Sequence, residues 1–473
     1  MGNPRCWRTI FTSFVILAAS TIAAPAQTYT TLVSFNGTDG ANPEYAPLVQ
    51  GRDGNFYGTT RGASAYTGTA FRVTAQGKMT PLAVLAQPYA GLVLATNGNF
   101  YGTTALGGAN AWGTVYKMNP AGKVTPVYSF CAQPNCTDGL FPLFDLVQVS
   151  NGSFYGTTPT ANIVGSQGTV FGVTAKGKLT TLLTFDGADG ASPGPLIQAN
   201  DGNLYGVTGA GYGTVFEITT TGALTTLHTF DDADGAGPSE GLVQASDGNF
   251  YGVTQQGGAN ISCAYGCGTI FKMTPPPDPV LTTLYSFCSQ QPNCTDGSLP
   301  VGALIEGTDG NLYGTTAESG NITACGGYGC GTIFQITLEG ALTTLYTFCS
   351  QPNCIDGAGP QADLLQATNG TFYGVTTGGG TSGAGTVFSL SVGLGPFVSF
   401  VQKAAKVGQT AQILGQGFKG TTKVSFNGMP AGFSVKSGTF LTATVPAGST
   451  TGYVTVTTPK GVLTSNVPFQ VIQ

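Results

Sequence analysis

The sequence predicts an all-β fold: a seven-bladed β-propeller closed by its own N-terminal strand, followed by a β-sandwich. Charged residues make up only 8% of the 473 residues and Gly is abundant, at 73, which favours short strands and tight turns over helices. Three short motifs each recur seven times, which is typical of a repeat architecture. Composition then changes: residues 27–391 hold all 22 acidic residues, whereas 396–473 hold six lysines and no acid.

The N-terminus has the features of an export signal. Arg5 and Arg8 precede an apolar run over residues 10–19, and Ala24-Pro25-Ala26 fits a small-residue cleavage site. The apolar run is shorter than the ~20 residues that span a bilayer. We therefore predict a signal peptide over residues 1–26 and no membrane span after its cleavage. The mature protein is expected to be secreted, periplasmic or at the cell surface.

Four short strands are predicted in each repeat. The first motif, [DN]G-x-[FL]-Y-G-[TV]-T, marks a tight turn followed by a strand, because Asp-Gly and Asn-Gly supply the positive φ of hairpin turns. The second, GT-x-[FY], marks the third strand, and T-x-[LV]-x-x-[FL] marks the fourth. Four antiparallel strands repeated every 44–62 residues predict a β-propeller. The first motif starts at Asp53, Asn97, Asn151, Asp201, Asp247, Asp309 and Asn369.

The order of the motifs predicts how the ring closes. A fourth-strand motif, residues 30–35, stands alone before the first repeat, and the seventh repeat ends near Leu390 without one. If residues 30–35 pair with residues 385–390, the vacancy is filled and two exposed sheet edges disappear. The propeller is therefore assigned to residues 27–391.

These repeats resemble the GloVer tandem-repeat family of exported bacterial proteins, for example in DGNFYGTT at 53–60. The resemblance covers residues 30–391. It implies a repeat architecture and no catalytic residues.

A short linker, 392–395, leads to a second domain over 396–473. Its alternating strands, separated by turns every 8–12 residues, predict a β-sandwich. The domain resembles the IPT/TIG immunoglobulin-like domains, which implies a spacer or interaction module. The matching positions are Gly408, Gly415, Gly417, Phe418, Val424, Phe426, Asn427, Gly428, Val445, Pro446, Gly452, Val454, Val456 and Gly461.

Ten cysteines remain after signal cleavage, in five close pairs. An exported chain meets an oxidising environment, so local disulfides are expected rather than zinc sites, and His228 is the only histidine available as a ligand. No metal or other cofactor is predicted. The predicted pairs are Cys131/Cys136, Cys263/Cys267, Cys288/Cys294, Cys325/Cys330 and Cys349/Cys354.

The loops between the second and third strands vary most in length and lie at the same end of the propeller as the cysteines. Variable loops on a rigid ring are where binding residues collect. Five of these loops carry an aromatic residue just before the GT motif, and such rings suit sugars or peptides. The predicted binding residues are Tyr66, Trp112, Tyr212, Tyr265 and Tyr328.

Four carboxylates precede the first strands of alternate repeats and form an alternative acidic site. Paired carboxylates can hydrolyse glycosidic bonds or hold a cation; isolated solvated acids are the other interpretation. The four are Glu44, Asp145, Glu240 and Asp363.

Taken together, the sequence predicts an exported, non-enzymatic binding or scaffold protein. Its expected partner is a neutral polysaccharide or a cell-surface protein. Nucleic acid is excluded by the net charge of −5 and the absence of basic runs. Two alternatives stay open: a carbohydrate-active propeller enzyme that uses a carboxylate pair, and a purely structural envelope protein.

Overall fold

A computed structural model describes residues 27–64, 66–160, 167–238, 240–320 and 323–472. The predicted signal peptide, residues 1–26, lies outside the described residues. Within those ranges the protein is all-β, as predicted: its helical segments are three single turns of 3-10 helix, at Pro134–Cys136, Cys325–Gly327 and Pro352–Cys354. The described part of the chain contains no helix with the length and hydrophobicity to cross a membrane.

The repeat region contains 28 described strands. In chain order they are β1 (Thr28–Ser34), β2 (Val49–Gln50), β3 (Phe56–Ser64), β4 (Thr67–Val73), β5 (Met79–Leu85), β6 (Val93–Leu94), β7 (Phe100–Thr104), β8 (Thr114–Met118), β9 (Val124–Ser129), β10 (Val147–Gln148), β11 (Phe154–Thr158), β12 (Thr169–Val173), β13 (Leu179–Thr184), β14 (Pro193–Gln198), β15 (Leu204–Thr208), β16 (Thr214–Ile218), β17 (Leu224–Thr229), β18 (Val243–Gln244), β19 (Phe250–Thr254), β20 (Thr269–Met273), β21 (Leu281–Ser286), β22 (Ile305–Glu306), β23 (Leu312–Thr316), β24 (Thr332–Ile336), β25 (Leu342–Thr347), β26 (Leu365–Gln366), β27 (Phe372–Thr376) and β28 (Thr386–Ser391).

In the described residues these strands form seven four-stranded antiparallel sheets, one for each repeat. We call them units 1 to 7, beginning with β2–β5. Within a unit the strands pair in chain order, as in β18-β19-β20-β21 of unit 5. The seventh sheet has the order β1-β28-β27-β26, so its fourth strand comes from the start of the chain.

The predicted pairing of the N-terminal strand is present. Strand β1 runs antiparallel to β28, with Thr28 opposite Ser391 and Ser34 opposite Thr386. The ring of Tyr29 stacks on Tyr346 of unit 6 with 3.8 Å between ring centroids. The N-terminal strand therefore joins units 6 and 7 as well as completing a sheet.

In six of the seven units the tyrosine of the motif forms a hydrogen bond with the Asp or Asn that begins the first-to-second-strand turn. In unit 5, Asp247 accepts hydrogen bonds from the Asn249 backbone N–H at 3.0 Å and from the Tyr251 hydroxyl at 2.8 Å. Gly248, between them, has a φ of +85°, a conformation that favours glycine. The motif is thus a self-contained turn whose aromatic ring also enters the core.

The same tyrosines connect neighbouring units. Tyr57 of unit 1 lies 4.2 Å from Phe100 of unit 2, measured between ring centroids. Between units 7 and 1, Tyr373 lies 4.0 Å from Phe56 in the same manner. Aromatic pairs of this kind stabilise by about 0.5–1.5 kcal/mol beyond their buried area. The contact between the last and first units therefore has the same chemistry as the contacts inside the series.

Residues 396–472 form the C-terminal domain. Two four-stranded antiparallel sheets, of order β29-β31-β35-β34 and β33-β32-β36-β37, share one apolar core that includes Val398, Ile413, Val424, Leu441 and Val456. Strands β30 and β38 add a parallel pair. The strands are β29 (Ser399–Phe400), β30 (Ala404–Lys406), β31 (Thr410–Leu414), β32 (Lys423–Phe426), β33 (Met429–Pro430), β34 (Phe433–Val435), β35 (Phe440–Thr444), β36 (Val454–Thr458), β37 (Gly461–Thr464) and β38 (Gln470–Ile472).

This domain packs against the first-to-second-strand turns, at the end of the repeat region that we call the turn face. Glutamine amides make several of the contacts: Gln402 donates to the Val149 carbonyl at 2.9 Å, and Gln412 donates to the Thr96 carbonyl at 2.7 Å. Phe440 belongs to the same apolar cluster as residues of units 1 and 2. The opposite end, the loop face, carries the variable loops and remains uncovered by this domain.

Candidate functional site

All five predicted disulfides are present, and all lie in the connecting loops of the loop face. They brace two kinds of loop, those between the second and third strands and those that lead from one unit to the next. The bonds are Cys131–Cys136, Cys263–Cys267, Cys288–Cys294, Cys325–Cys330 and Cys349–Cys354.

The two disulfides of unit 6 lie against each other. The four sulfur atoms of Cys325, Cys330, Cys349 and Cys354 are all within 4.8 Å of one another. One bond braces the second-to-third-strand loop, and its neighbour braces the loop that leads to unit 7. The pairing thus reinforces two adjacent loops at one place.

The two disulfides of unit 5 are arranged differently, and Cys294 is the residue that differs. The sulfur atoms of Cys263, Cys267 and Cys288 lie within 4.8 Å of one another, but Cys294 is not part of this group. Cys294 is half-buried whereas its disulfide partner Cys288 is buried. The Cys294 carbonyl accepts from the Gly320 N–H at 3.1 Å, so this end of the bond is attached to a loop of unit 6.

Buried aspartates organise the cysteine-bearing loops that follow the fourth strands. Asp356 accepts hydrogen bonds from the Tyr346 hydroxyl at 2.8 Å, from the Ser350 N–H at 2.9 Å and from the Gln351 N–H at 3.3 Å. Asp138 and Asp296 have the same arrangement in units 2 and 5. The carboxylates that follow these strands thus satisfy donors of their own loops.

Four of the five predicted binding aromatics are exposed. The exposed fractions are 72% for Tyr66, 55% for Tyr212, 74% for Tyr265 and 71% for Tyr328. Trp112 differs, because it is half-buried and packs edge-on against Phe141 at 5.0 Å between ring centroids. Within the described residues no ring contact joins any two of the five, so they are distributed around the face rather than gathered into one cluster.

The backbone at three of these tyrosines is fixed by hydrogen bonds although the side chains are exposed. The carbonyl of Tyr212 accepts from Gly237 N–H at 3.0 Å, that of Tyr265 from Gly257 at 2.8 Å, and that of Tyr328 from Ser319 at 2.8 Å. Tyr265 and Tyr328 also lie inside the loops closed by Cys263–Cys267 and Cys325–Cys330. An aromatic ring on a fixed backbone loses little conformational entropy when it binds.

A central cavity of about 460 Å³ lies along the axis of the repeat units. Its walls are the first strands, which contribute apolar side chains such as Val93, Val147, Ile197, Val243 and Ile305. Residues 400–404 of the C-terminal domain line its inner end, so the domain forms the floor at the turn face. A cavity of this size suits a small ligand or one sugar unit of a polymer.

Three of the four predicted acidic residues, Asp145, Glu240 and Asp363, line this cavity together. The Asp145 carboxylate accepts from Gly91 N–H of unit 2 at 2.6 Å, and the Asp363 carboxylate accepts from Ala303 N–H of unit 6 at 2.6 Å. Each aspartate therefore also links its unit to the preceding one.

The depth of the cavity changes the acidity of these groups. Desolvation, with the nearby Asp363 charge, raises the pKa of Asp145 to about 7. Desolvation raises the pKa of Asp363 to about 6, although the hydrogen bond from the Ala303 N–H lowers it in part. Desolvation and the charges of Asp363 and Asp145 also raise the pKa of Glu240 well above its usual value. All three remain partly accessible to solvent inside the cavity, so water there moderates the cost of their charges.

Glu44, the fourth predicted acid, is not part of this group. Its carboxylate forms an ion pair with Arg61 at 2.7 Å. The guanidinium of Arg61 also lies 5.0 Å from the centre of the Tyr89 ring. The charge of Glu44 is thus balanced by Arg61, whereas the other three acids line the central cavity.

Sequence reasoning missed two residues that line the cavity. Tyr45 lies four residues before the first strand of unit 1. Burial raises its pKa, and the charges of Glu44 and Glu240 add to the effect. Lys403 lines the inner end; desolvation there lowers its pKa and the charge of Glu306 partly offsets the effect, although the residue keeps exposed surface that limits the shift. The position of Tyr45, beside the predicted Glu44, could have indicated the first; nothing in the sequence places Lys403 beneath the repeat units.

Comparison with known proteins identifies the repeats. The Gloeobacter/Verrucomicrobia repeat matches residues 19–162, 81–262, 146–388 and 209–455 in overlapping registers. The chain belongs to this repeat family. The family expected from the DGNFYGTT-type motifs is thereby confirmed, while the resemblance of residues 396–473 to IPT/TIG domains stays a prediction. No curated protein matches the chain.

A solved structure supports the propeller-like fold. The extracellular domain of a protein assigned as a hybrid two-component system from B. thetaiotaomicron is similar over 94% of this chain, with a TM-score of 0.51 and 11% identity. The chain spans 57% of the length of that structure. A protein assigned as a 6-phosphogluconolactonase from Bacteroides uniformis is similar over 67% of this chain and 84% of its own, with a TM-score of 0.43 and 16% identity.

Proposed function

We propose that the protein is exported and consists of a seven-bladed β-propeller followed by an immunoglobulin-like domain of the IPT/TIG kind. The seven sheets and the pairing of β1 with β28 support a closed ring. The two packed sheets of residues 396–472 support the second assignment. Five disulfides support folding in an oxidising compartment outside the cytoplasm.

The function that we propose is binding of a neutral polysaccharide at the loop face, without catalysis. The observation that carries this proposal is the exposure of Tyr66, Tyr212, Tyr265 and Tyr328 on one end of the molecule. Exposed rings present flat apolar surface to a ligand, and sugar rings stack on such surfaces. Their separation around the ring suits an extended polymer that contacts several loops at once.

The experiment is affinity electrophoresis of the mature protein against soluble neutral glycans, namely xyloglucan, mixed-linkage β-glucan, galactomannan and dextran. The variant carries Tyr212→Ala, Tyr265→Ala and Tyr328→Ala. If each ring contributes about 1 kcal/mol, the triple variant binds at least about 100-fold more weakly than the parent.

The matched control is Tyr453→Ala, which removes a half-exposed tyrosine from the C-terminal domain. It should bind as the parent does. Equal binding by the parent and the triple variant, with both folded, would show that the loop face is not the binding surface. No binding of any glycan by the parent would instead favour a purely structural envelope protein.

A second candidate function is glycoside hydrolysis in the central cavity. The observation that favours it is the raised pKa of Asp145, to about 7, beside Asp363, whose pKa is raised less, to about 6. Two carboxyl groups with different pKa values can act as general acid and general base. In this reaction Asp145 would protonate the leaving oxygen and ionised Asp363 would activate water.

The test of the second candidate is release of reducing ends from the same glycans. The parent should release them, and a variant with Asp145→Asn and Asp363→Asn should not. Glu44→Gln is the control, because Glu44 is paired with Arg61 outside this group. Glycan binding without any release by the parent would contradict the enzymatic candidate and leave the binding proposal intact.

A further inference from the structure

We propose that the C-terminal domain carries a second binding site, a basic corner formed by Lys419, Lys423 and Lys460, which binds an anionic polysaccharide. This site is separate from the loop face and from the central cavity. It would hold the protein on a negatively charged polymer through one domain while the loop face stays free for its own ligand.

The first step of the argument is the segregation of charge along the chain. Residues 27–395 contain 22 acidic and nine basic residues, a formal charge of −13. Residues 396–473 contain six lysines and neither acid nor arginine, a formal charge of +6. A small domain with only positive charges attracts anions although the whole protein is acidic.

The second step is the geometry of three of these lysines. Lys423 begins β32 and lies opposite Thr457 of β36, and the next turn carries Lys460. A methyl group at Gly417 would lie 3.9 Å from the Lys460 side chain, so this side chain passes over the loop that leads to Lys419. The three lysines thus come from adjacent segments of one corner.

The third step is that nothing in the described residues neutralises them. All three are exposed, and none takes part in an ion pair among the described residues. Because the domain contains no carboxylate, a neighbouring side chain of the same domain cannot supply one. Three unpaired ammonium groups on one corner are a site for a ligand with repeated negative charges.

The chemistry of the corner favours a polysaccharide over a membrane. Surfaces that bind membranes either combine basic residues with several apolar side chains or, where charge alone acts, carry about four to eight clustered lysines and arginines, more than the three of this corner. The large exposed apolar residues of the domain are Met429, Tyr453 and Val462, and Met429 and Val462 lie on opposite edge strands of one sheet. Only Val462 lies near Lys460, which is too little apolar area to insert into lipid.

Nucleic acid also fits poorly. Segments 417–423 and 457–461 have Phe418 as their single aromatic residue, and it is buried in the domain core. Proteins that bind single strands without sequence preference stack bases on exposed aromatic rings. Uronate or sulfate groups on a sugar chain need only the point charges that lysine supplies.

The experiment measures binding of the full mature chain to polygalacturonate by isothermal titration calorimetry, at about 50 mM and about 300 mM NaCl. The test variant carries Lys419→Gln, Lys423→Gln and Lys460→Gln. The control variant carries Lys123→Gln, Lys176→Gln and Lys178→Gln, three exposed lysines of the repeat region. Both variants lose the same formal charge, so only the position of the charges differs.

We expect the parent and the control variant to bind equally, and the test variant to bind at least about tenfold more weakly at low salt. Parent binding should weaken as salt rises, because the contacts are ionic. Equal losses of affinity in both variants would overturn the proposal, because they would show that binding depends on the total charge of the protein and not on the three lysines of the corner. No binding by the parent would overturn it as well.

A parallel arm uses vesicles with about one third phosphatidylglycerol, and another uses single-stranded DNA. If the parent binds vesicles or DNA but does not bind polygalacturonate, the proposal of an anionic polysaccharide is wrong, and the ligand class is the lipid or the nucleic acid that binds. The thermal unfolding midpoint of each variant must match the parent, so that loss of binding cannot be attributed to unfolding. Neutral-glycan binding at the loop face should be unchanged in the test variant.

Discussion

At the scale of single residues, one hydrogen bond recurs in four units, between a side chain of the fourth strand and an aspartate of the loop that follows it. A tyrosine of the fourth strand donates to that aspartate in units 2, 5 and 6, at 2.7–2.8 Å. In unit 4 the tyrosine is replaced by His228, whose Nε2 lies 2.7 Å from the Asp234 carboxylate. The only histidine of the chain thus has the structural role that tyrosine has elsewhere.

This replacement leads to a prediction about stability. His228→Tyr should leave the free energy of unfolding within about 0.5 kcal/mol of the parent, because a hydroxyl can make the same bond. His228→Phe keeps the edge-on ring contact with Phe230 but loses the bond, and should cost about 1 kcal/mol. Urea unfolding measures both. Equal stability of the Phe variant and the parent would contradict the assigned role.

The raised pKa values of the cavity acids predict how stability depends on pH. Asp145 and Asp363 have folded-state pKa values of about 7 and about 6, above those of an unfolded chain. The folded protein therefore binds more protons than the unfolded chain between about pH 4 and pH 7, and stability should fall as pH rises through this range.

Asp145→Asn tests this dependence, because it keeps an oxygen that can accept from Gly91 but cannot ionise. The variant should lose less stability than the parent between about pH 4 and pH 8, by about 1–2 kcal/mol. Thermal unfolding midpoints across the pH range measure the difference. Asp53→Asn, in a solvated turn, serves as the control; identical pH profiles for all three proteins would contradict the expectation.

At the scale of secondary-structure elements, β1 connects two units that are far from it in sequence. It supplies the fourth strand of unit 7, and its Tyr29 stacks on Tyr346 of unit 6. Without β1, the edge of β28 is exposed and the core around Val33 and Phe35 is opened. Loss of β1 therefore affects both unit 6 and unit 7.

Deletion of residues 27–36 should therefore lower the thermal unfolding midpoint sharply. A synthetic peptide of residues 28–35 added in excess should restore part of the loss, because it binds the folded form at the vacant edge. A peptide in which Val33 is replaced by Asp is the control and should not restore stability. A deletion variant as stable as the parent would show that closure does not depend on β1.

The sequence could predict these elements because each strand carries its own signal. The turn residue, the tyrosine four residues later and the GT motif lie within one repeat, and the vacancy at unit 7 follows from motif order alone. The cysteine pairs are local for the same reason. Features that are determined within one repeat, or by the order of the repeats, can therefore be predicted from the sequence alone.

Side-chain contacts between different repeats, and the direction in which a loop side chain turns, could not be predicted from the sequence. Glu44, Asp145 and Asp363 occupy similar places in the motif order, yet Glu44 turns to Arg61 of its own unit while the other two face the cavity. Trp112 fits the pattern of the exposed tyrosines but meets Phe141, which belongs to the next unit. Such differences arise from loop geometry, which motif spacing does not encode.

The cysteines show the same limit. Spacing predicts that Cys294 bonds to Cys288, and the bond is present. It does not predict that the Cys288 sulfur lies within 4.8 Å of the sulfurs of Cys263 and Cys267, or that the Cys294 carbonyl accepts from Gly320 of the next unit. Which loops a disulfide ties together is decided by how the units pack, and that packing follows from contacts between repeats.

At the scale of the whole molecule, the docked C-terminal domain makes the central cavity a closed-ended pocket. Residues 400–404 form its floor, and glutamines of the domain bond to the carbonyls of several turns. The turn face is therefore an intramolecular interface, and the loop face is the end from which a ligand can enter. Access to the three cavity acids depends on this arrangement.

Arg52 makes several of the contacts between the repeat region and the C-terminal domain. Its guanidinium donates to the Thr96 carbonyl at 2.8 Å and to the Gln412 side chain, and it lies 4.7 Å from the centre of the Phe440 ring. The Arg52 carbonyl accepts from the Thr439 hydroxyl at 2.8 Å. One side chain thus holds a turn of unit 2 and two strands of the C-terminal domain together.

Arg52→Ala should weaken docking by about 2 kcal/mol, because it removes charged hydrogen bonds and a cation–π contact while leaving both cores intact. The two parts should then unfold in separate calorimetric transitions, and protease should cut more rapidly near residues 392–395. Lys78→Ala removes an exposed cation from unit 1, which also contains Arg52. It should neither separate the transitions nor increase cleavage. A single transition with unchanged cleavage in the Arg52 variant would mean that the glutamine contacts and the packing of Phe440 hold the domain without Arg52.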